Sequence, residues 1–167
     1  MTEKMISVYQ LVAFSIDFEG SISCKRNRHT FRNGKDYYNY QIDVSIRNTS
    51  KELLEQFTNI IKFGYVINSH IKDKYHINYN WKDTYVWCMT NDEIRQYLPL
   101  IQPYIILKKN QIELAIEFIN ILKSKSLIKK LSVKNKCMEK LYTERELMLM
   151  EIIYEDMKEY NKKGRPI

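Results

Sequence analysis

The sequence predicts an α+β fold: a helix, two strands, a second helix, two strands and a third helix, followed by a helical extension. Three observations lead there. An apolar helical stretch in residues 11–22 ends at a glycine and turns at once into a period-two pattern. A long alternating strand follows from Tyr38 to Arg47. A capped helix and further extended runs then fill residues 48–89. Alternation of this kind describes an antiparallel sheet with one face on the core and one in solvent.

The 167 residues suit one domain, 1–167, with a core at about 5–123 and a helical extension at about 124–160. The net charge of +7 and pI near 9.2 favour a polyanionic partner. Cys24, Cys88 and Cys137 show no CxxC or Cys/His spacing for zinc, and read as thiols in a reducing compartment. Residues 1–10 carry Glu3 and Lys4 and no long apolar run, so no secretion signal is expected. No stretch has the length of a membrane span. An intracellular place, in the cytoplasm or an organelle, and no membrane partner are therefore expected.

The first helix has two apolar stripes. Tyr9, Val12, Ala13 and Ile16 recur at helical spacing, and Leu11, Phe14 and Phe18 form a second stripe. A helix apolar on two sides needs two covers. One can be the protein's own core and the other an identical helix of a partner. The helix ends on two carboxylates, Asp17 and Glu19, with Gly20 as its stop. On their own these acids could be solvated end charges of a buried helix.

Beyond Gly20, Ile22 and Cys24 fall on one side, and Ser21, Ser23, Lys25 and Asn27 on the other. Asn33-Gly34 is a hairpin signal. In the next strand Tyr38, Tyr40, Ile42, Val44 and Ile46 form the inner set; Gln41, Asp43, Ser45 and Arg47 alternate outward. Amides, hydroxyls and basic groups on a ribbon are the chemistry that reads base edges in a major groove. An ordinary solvated sheet face has the same pattern.

Asn48-Thr49-Ser50 caps the second helix, whose stripe is Leu53, Leu54, Phe57, Ile60 and Ile61 and whose stop is Gly64. Residues 65–72 form an extended run whose outward face the pattern leaves open. Residues 73–83 read as a hairpin or an ordered loop, and residues 85–89 as a strand. Asn91-Asp92-Glu93 caps a helix that stops near Pro99. The next helix carries Ile112, Ala115, Ile116, Ile119 and Leu122. Residues 123–140 hold seven lysines and one acid, a surface for phosphates or a solvated helix face. Residues 144–159 read as an acidic capping helix turned away from nucleic acid.

Residues 12–20 resemble the signature of the LAGLIDADG homing endonucleases; Ala13, Ile16, Asp17 and Gly20 are identical to it, and Glu19 stands at the second acidic position. Pro103, Tyr104, Lys108, Lys109 and Gln111 resemble a second family pattern, as do Gly64-Tyr65-Val66 and Tyr85-x-Trp87. Phe14 and Phe18 depart from it, standing where small residues are usual, and Ser50 stands where a solvent-ordering glutamine is usual. The resemblance implies a single LAGLIDADG endonuclease domain with an αββαββα core and a saddle-shaped antiparallel sheet. It implies a site-specific DNA endonuclease that hydrolyses phosphodiesters at a long, nearly palindromic target, encoded within an intron or intein.

For the site it implies Glu19 as metal ligand and catalytic residue, with the Phe18 backbone carbonyl as a further ligand. It implies Lys108 as a catalytic cation, and Asp17 and Gly20 as support for the motif. The metal would be Mg²⁺ or Mn²⁺, with Ca²⁺ as an inhibitor. One motif supplies one acid, so a double-strand cut implies a homodimer on double-stranded DNA. Ser23, Lys25, Asn27, Gln41, Asp43, Ser45 and Arg47 are the candidate base readers, and Lys129 and Lys130 the candidate phosphate contacts. Two alternatives keep the fold without the cut: an RNA-binding intron maturase and an inactive DNA-binding protein.

Overall fold

The computed structural model describes residues 3–30, 36–69, 83–131 and 142–163. In chain order the elements are α1 (Glu3–Glu19), β1 (Gly20–Thr30), β2 (Asp36–Asn48), α2 (Lys51–Ile61), β3 (Tyr65–Asn68), β4 (Tyr85–Cys88), α3 (Asn91–Ile101), a 3-10 turn (Gln102–Tyr104), α4 (Lys109–Leu131) and α5 (Glu144–Lys163). The strand order is β1-β2-β4-β3, and β4 is antiparallel to both β2 and β3. This is the expected αββαββα order, closed by α3, followed by two further helices, α4 and α5. The chain gathers into two compact units that interleave in sequence: residues 1–21 with 44–108, and residues 22–43 with 109–167.

The first unit is built on α1 and the β2–β4–β3 ladder. Tyr9, Val12, Ala13 and Ile16 are all buried, so the first stripe of α1 is core. Helix α1 packs on α3 and on the 3-10 turn that follows it. Trp87 is fully buried, donates from Nε1 to the Phe63 carbonyl at 3.3 Å, and meets the Phe57 ring edge-on at 5.3 Å. Phe63 in turn stacks on Tyr97 at 4.1 Å.

Helix ends in this unit differ from the sequence expectation in ways that have local causes. Ser50 does cap α2, accepting from the Leu53 amide at 3.2 Å. The left-handed residue that closes α2 is Lys62 (φ 66°), not Gly64. Gly64 (φ 78°) serves the entry to β3 instead, and its amide donates to Glu93 Oε1 at 2.7 Å. Glu93 also completes a capping box with Thr90, so the cap of α3 is one residue earlier than Asn91. Helix α3 ends near Pro99 as expected, at Ile101, with the proline inside its last turn. Burial of Leu98 and Ile101 on either side offsets the lost backbone bond.

In the second unit α4 packs along α5. Ile112, Ala115, Phe118 and Ile119 of α4 and Met150, Ile153 and Met157 of α5 are buried, as are Ile22 and Ile42. Helix α4 continues to Leu131, so the division drawn at about 123 falls inside a helix. Arg26 lies over the rings of Tyr38 (4.8 Å) and Tyr154 (4.7 Å) and pairs with Glu151, which also accepts from the Tyr40 hydroxyl. Tyr38 was expected to be an inner residue; it is 44% exposed, its ring serving as a platform for the guanidinium. Burial, and then the Glu151 carboxylate, push the Tyr40 phenol up. The Asn33-Gly34 turn signal and residues 73–82 lie outside the described residues.

Gly64 carries a sharp test of the first unit. A Cβ there would lie 2.2–2.5 Å from the Trp87 indole, on a backbone already at positive φ. Gly64→Ala should therefore cost about 2–4 kcal/mol of stability. Urea unfolding checks this; an unchanged midpoint would show that the Trp87 contact is not built as described.

Candidate active site at the end of helix α1

The two acids of α1 part company because they are two residues apart. At 100° per residue they point about 200° apart around the helix. Asp17 follows Ala13 by one turn and goes inward; Glu19 stays outside.

Asp17 is 6% exposed, one of two polar side chains buried among the described residues. Its Oδ2 accepts from the Ile106 amide at 2.7 Å and its Oδ1 from the Lys108 amide at 3.1 Å. Those amides belong to the short irregular stretch between the 3-10 turn and α4, where no regular element offers them a partner. A carboxylate is the strongest acceptor available for a pair of main-chain donors.

Lys108 returns the contact. Its Nζ donates to the Ile16 carbonyl at 2.7 Å and to the Asp17 carbonyl. These carbonyls sit at the negative end of α1, where a cation is favoured. Burial holds the Lys108 ammonium below its ordinary pKa, and the charges of Asp17 and Glu19 oppose that shift.

Glu19 is the last residue of α1 and is exposed. Gly20 begins β1 with no loop between helix and strand. A Cβ on Gly20 would fall 2.6 Å from the Ile16 Cα and 3.1 Å from the Ser45 carbonyl, so only glycine lets β2 pass this close to α1. Phe18 is 64% exposed, and its ring lies 4.4 Å from that of Phe14. Its carbonyl belongs to the last turn of α1, where carbonyls lack helical partners.

Among the residues of α1 whose side chains are described, Leu11, Phe14 and Phe18 are the exposed large apolar ones. Gln10, Phe14, Asp17 and Phe18, with Pro103, Tyr104, Ile106 and Leu107, line a groove of about 520 Å³. Ile106 and Leu107 are 73% and 65% exposed. Sequence reading missed these last two; their only signal was an apolar pair placed just before the lysines.

Among the remaining candidates, Lys25 is exposed and pairs with the half-buried Asp43 at 3.0 Å. Asn27 and Arg47 are exposed, and Ser23 and Gln41 are half-buried. Ser45 shares the sheet face of Arg47, as expected, but is only 6% exposed. It pairs with Cys88 on an interior strand, where a two-atom side chain is shaded by its neighbours. Lys129 and Lys130 fall in the last turns of α4, and their side chains lie outside the described residues. No group of three or more His, Cys, Asp or Glu side chains that could hold a metal occurs among the described residues. One chain therefore offers one exposed acid at this helix end.

The Asp17 clasp makes a prediction about stability. Asp17→Asn sets an amide against two main-chain N–H groups that need acceptors. It should lower stability by about 2–3 kcal/mol. Thermal and urea unfolding measure it, and an unaffected variant would mean that Asp17 is not what holds residues 106–108.

No protein-family model and no curated protein matches the sequence. Solved structures do. The homing endonuclease I-CvuI, in complex with a DNA target, is 18% identical with a TM-score of 0.56; the match covers 99% of this chain and 100% of that one. The archaeal intron-encoded homing endonuclease I-Vdi141I, complexed with DNA, is 18% identical with a TM-score of 0.51, covering 92% and 96%. The LAGLIDADG homing endonuclease I-GzeII, in complex with its DNA target, is 19% identical with a TM-score of 0.56; the match covers 87% of this chain and 42% of that one. The chain thus spans nearly all of two of these proteins and less than half of the third. With its motif helix, its helix-to-strand glycine and its antiparallel four-stranded sheet, the chain has the fold of the LAGLIDADG homing endonucleases.

Proposed function

We propose that this protein is a divalent-metal-dependent, site-specific DNA endonuclease that acts as a homodimer on duplex DNA. One observation carries the reading: a single exposed carboxylate, Glu19, ends a helix whose outer stripe of Leu11, Phe14 and Phe18 is uncovered. The motif match and the DNA-bound neighbours support it.

The donor set fits the metal. The Glu19 carboxylate and the Phe18 carbonyl in the last turn of α1 are hard oxygen donors of the kind Mg²⁺ takes. Glu19 would hold the ion, with the Phe18 carbonyl beside it. Such an ion supplies charge neutralisation at the phosphate and a more acidic bound water.

The chain's own residues supply the rest. Asp17, through the amides of Ile106 and Lys108, fixes the backbone that carries Lys108. An ammonium has three N–H donors, and two are taken by the Ile16 and Asp17 carbonyls. The third is left for a phosphate oxygen, where it would stabilise the pentacovalent transition state. Two copies related by a two-fold axis would bring two Glu19 carboxylates to two scissile phosphates. Arg47 is suited to guanine and Gln41 to adenine, while Lys129 and Lys130 would contact phosphates only.

Two measurements test this. Glu19→Gln should abolish magnesium-dependent cleavage of a plasmid carrying the target while leaving DNA affinity within a few-fold of wild type. Normal cleavage by that variant would falsify the assignment. Sedimentation at micromolar concentration should give a dimer without DNA, because the aromatic stripe of α1 is otherwise left in water. A stable monomer of about 20 kDa would refute the paired-helix arrangement.

A further inference from the structure

The ladder register settles a question that residue pattern leaves open: which face β3 turns outward. Arg47 pairs with Val86, and Val86 pairs with Ile67. Ser45 pairs with Cys88, and Cys88 with Tyr65. Residues directly opposite in an antiparallel pair share a face. Tyr65 and Ile67 therefore stand on the same face of the sheet as Arg47. Trp87, Ile46 and Val66 form a row on the opposite face, where Trp87 and Ile46 are buried.

On the Arg47 face the middle strand is a floor. Val86 and Cys88 are only 6% and 8% exposed, whereas Tyr65 and Ile67 are 45% and 44% exposed and Arg47 is exposed. The side chains that rise above the floor are thus a cation on one flank and two apolar groups on the other. A β-branched side chain left in water on a short outer strand does nothing for the core.

We infer that Ile67, with Tyr65 beside it, is an apolar reading position that contacts the C5-methyl of thymine in the major groove of bound DNA. The inference rests on the proposed DNA-binding reading and assigns a base chemistry within it. A thymine methyl is the one apolar group a base pair offers in that groove. An exposed aliphatic side chain cannot hydrogen-bond a base edge, so the methyl is the feature it can favour. Continuity with the exposed Arg47, two strands away on the same face, puts Ile67 on the surface that the cation would bring to DNA.

The test begins with selection of binding sites from random duplexes by the full-length protein. Each selected thymine is then replaced by deoxyuridine, which removes only the methyl. At one symmetric pair of positions the wild type should lose about fourfold in affinity per methyl, the worth of burying one such group. Ile67→Ser should bind the thymine and uracil duplexes equally, and Ile67→Val should keep most of the difference. Circular dichroism and the unfolding midpoint confirm that each variant is folded. If DNA is selected and bound but no uracil substitution matters, or if Ile67→Ser retains the wild-type penalty, the inference is overturned and the DNA-binding reading stands. If no duplex is selected at all, both fall.

Discussion

The site depends on a reciprocal clasp between Asp17 and the stretch that leads into α4. Asp17 takes two amides from that stretch, and Lys108 gives its ammonium to two carbonyls of α1. Each partner supplies what the other lacks. The end of a helix has carbonyls without donors, and an irregular stretch has amides without acceptors. Joined across about ninety residues of sequence, they close four hydrogen bonds and leave neither charge alone in a half-buried place. A lysine desolvated there without those carbonyls would give up its proton or its position. The clasp thus ties down the end of α1 two residues before Glu19, and on the proposed reading a metal ligand there needs such a support.

The same geometry explains why two acids so close together do different work. Spacing of two on a helix sends side chains to opposite sides. Asp17 is consumed by structure and Glu19 is left for solvent or a ligand. Gly20 completes the arrangement by letting the helix become a strand without a loop, so that Glu19 sits at a fixed junction rather than on a mobile tip.

Much of this was legible before any coordinates. The stripe of Tyr9, Val12, Ala13 and Ile16 reads directly as core, and all four are buried. Ile42, Val44 and Ile46 read as the inner set of β2 and are buried too. What escaped was whatever depends on a distant partner. Tyr38 has the pattern of an inner residue, yet its ring is claimed by Arg26 from another strand. Ser45 has the pattern of an outer one, yet pairing with Cys88 buries it. Gly64 looks like a helix stop because glycine often is; its reason is the Trp87 indole, more than twenty residues away. The acceptors of Lys108 and the donors of Asp17 are backbone atoms, which carry no sequence signal at all. The outward face of β3 is fixed by register, and four residues are too few for their own pattern to show it.

Two shortfalls meet on α1. Its outer stripe is exposed among the described residues, and the groove beside it, lined by Phe14, Phe18, Ile106 and Leu107, is open and apolar. Its end carries one exposed carboxylate where a hard cation takes six or more oxygens. Either shortfall alone has ordinary remedies: another protein could cover the stripe, and water could complete the oxygen shell. A second copy of the same helix, turned about a two-fold axis, answers both together, since it brings an equal apolar stripe and an equal carboxylate in one step. The aromatic pair Phe14 and Phe18 then sets a constraint of its own. Rings of that size keep two helix backbones further apart than small residues would, and the open groove beside each helix is where displaced rings can go. On the proposed reading, the spacing of the two Glu19 carboxylates is governed by how far those rings sink into the grooves, so packing on one side of α1 sets the distance between the two cuts.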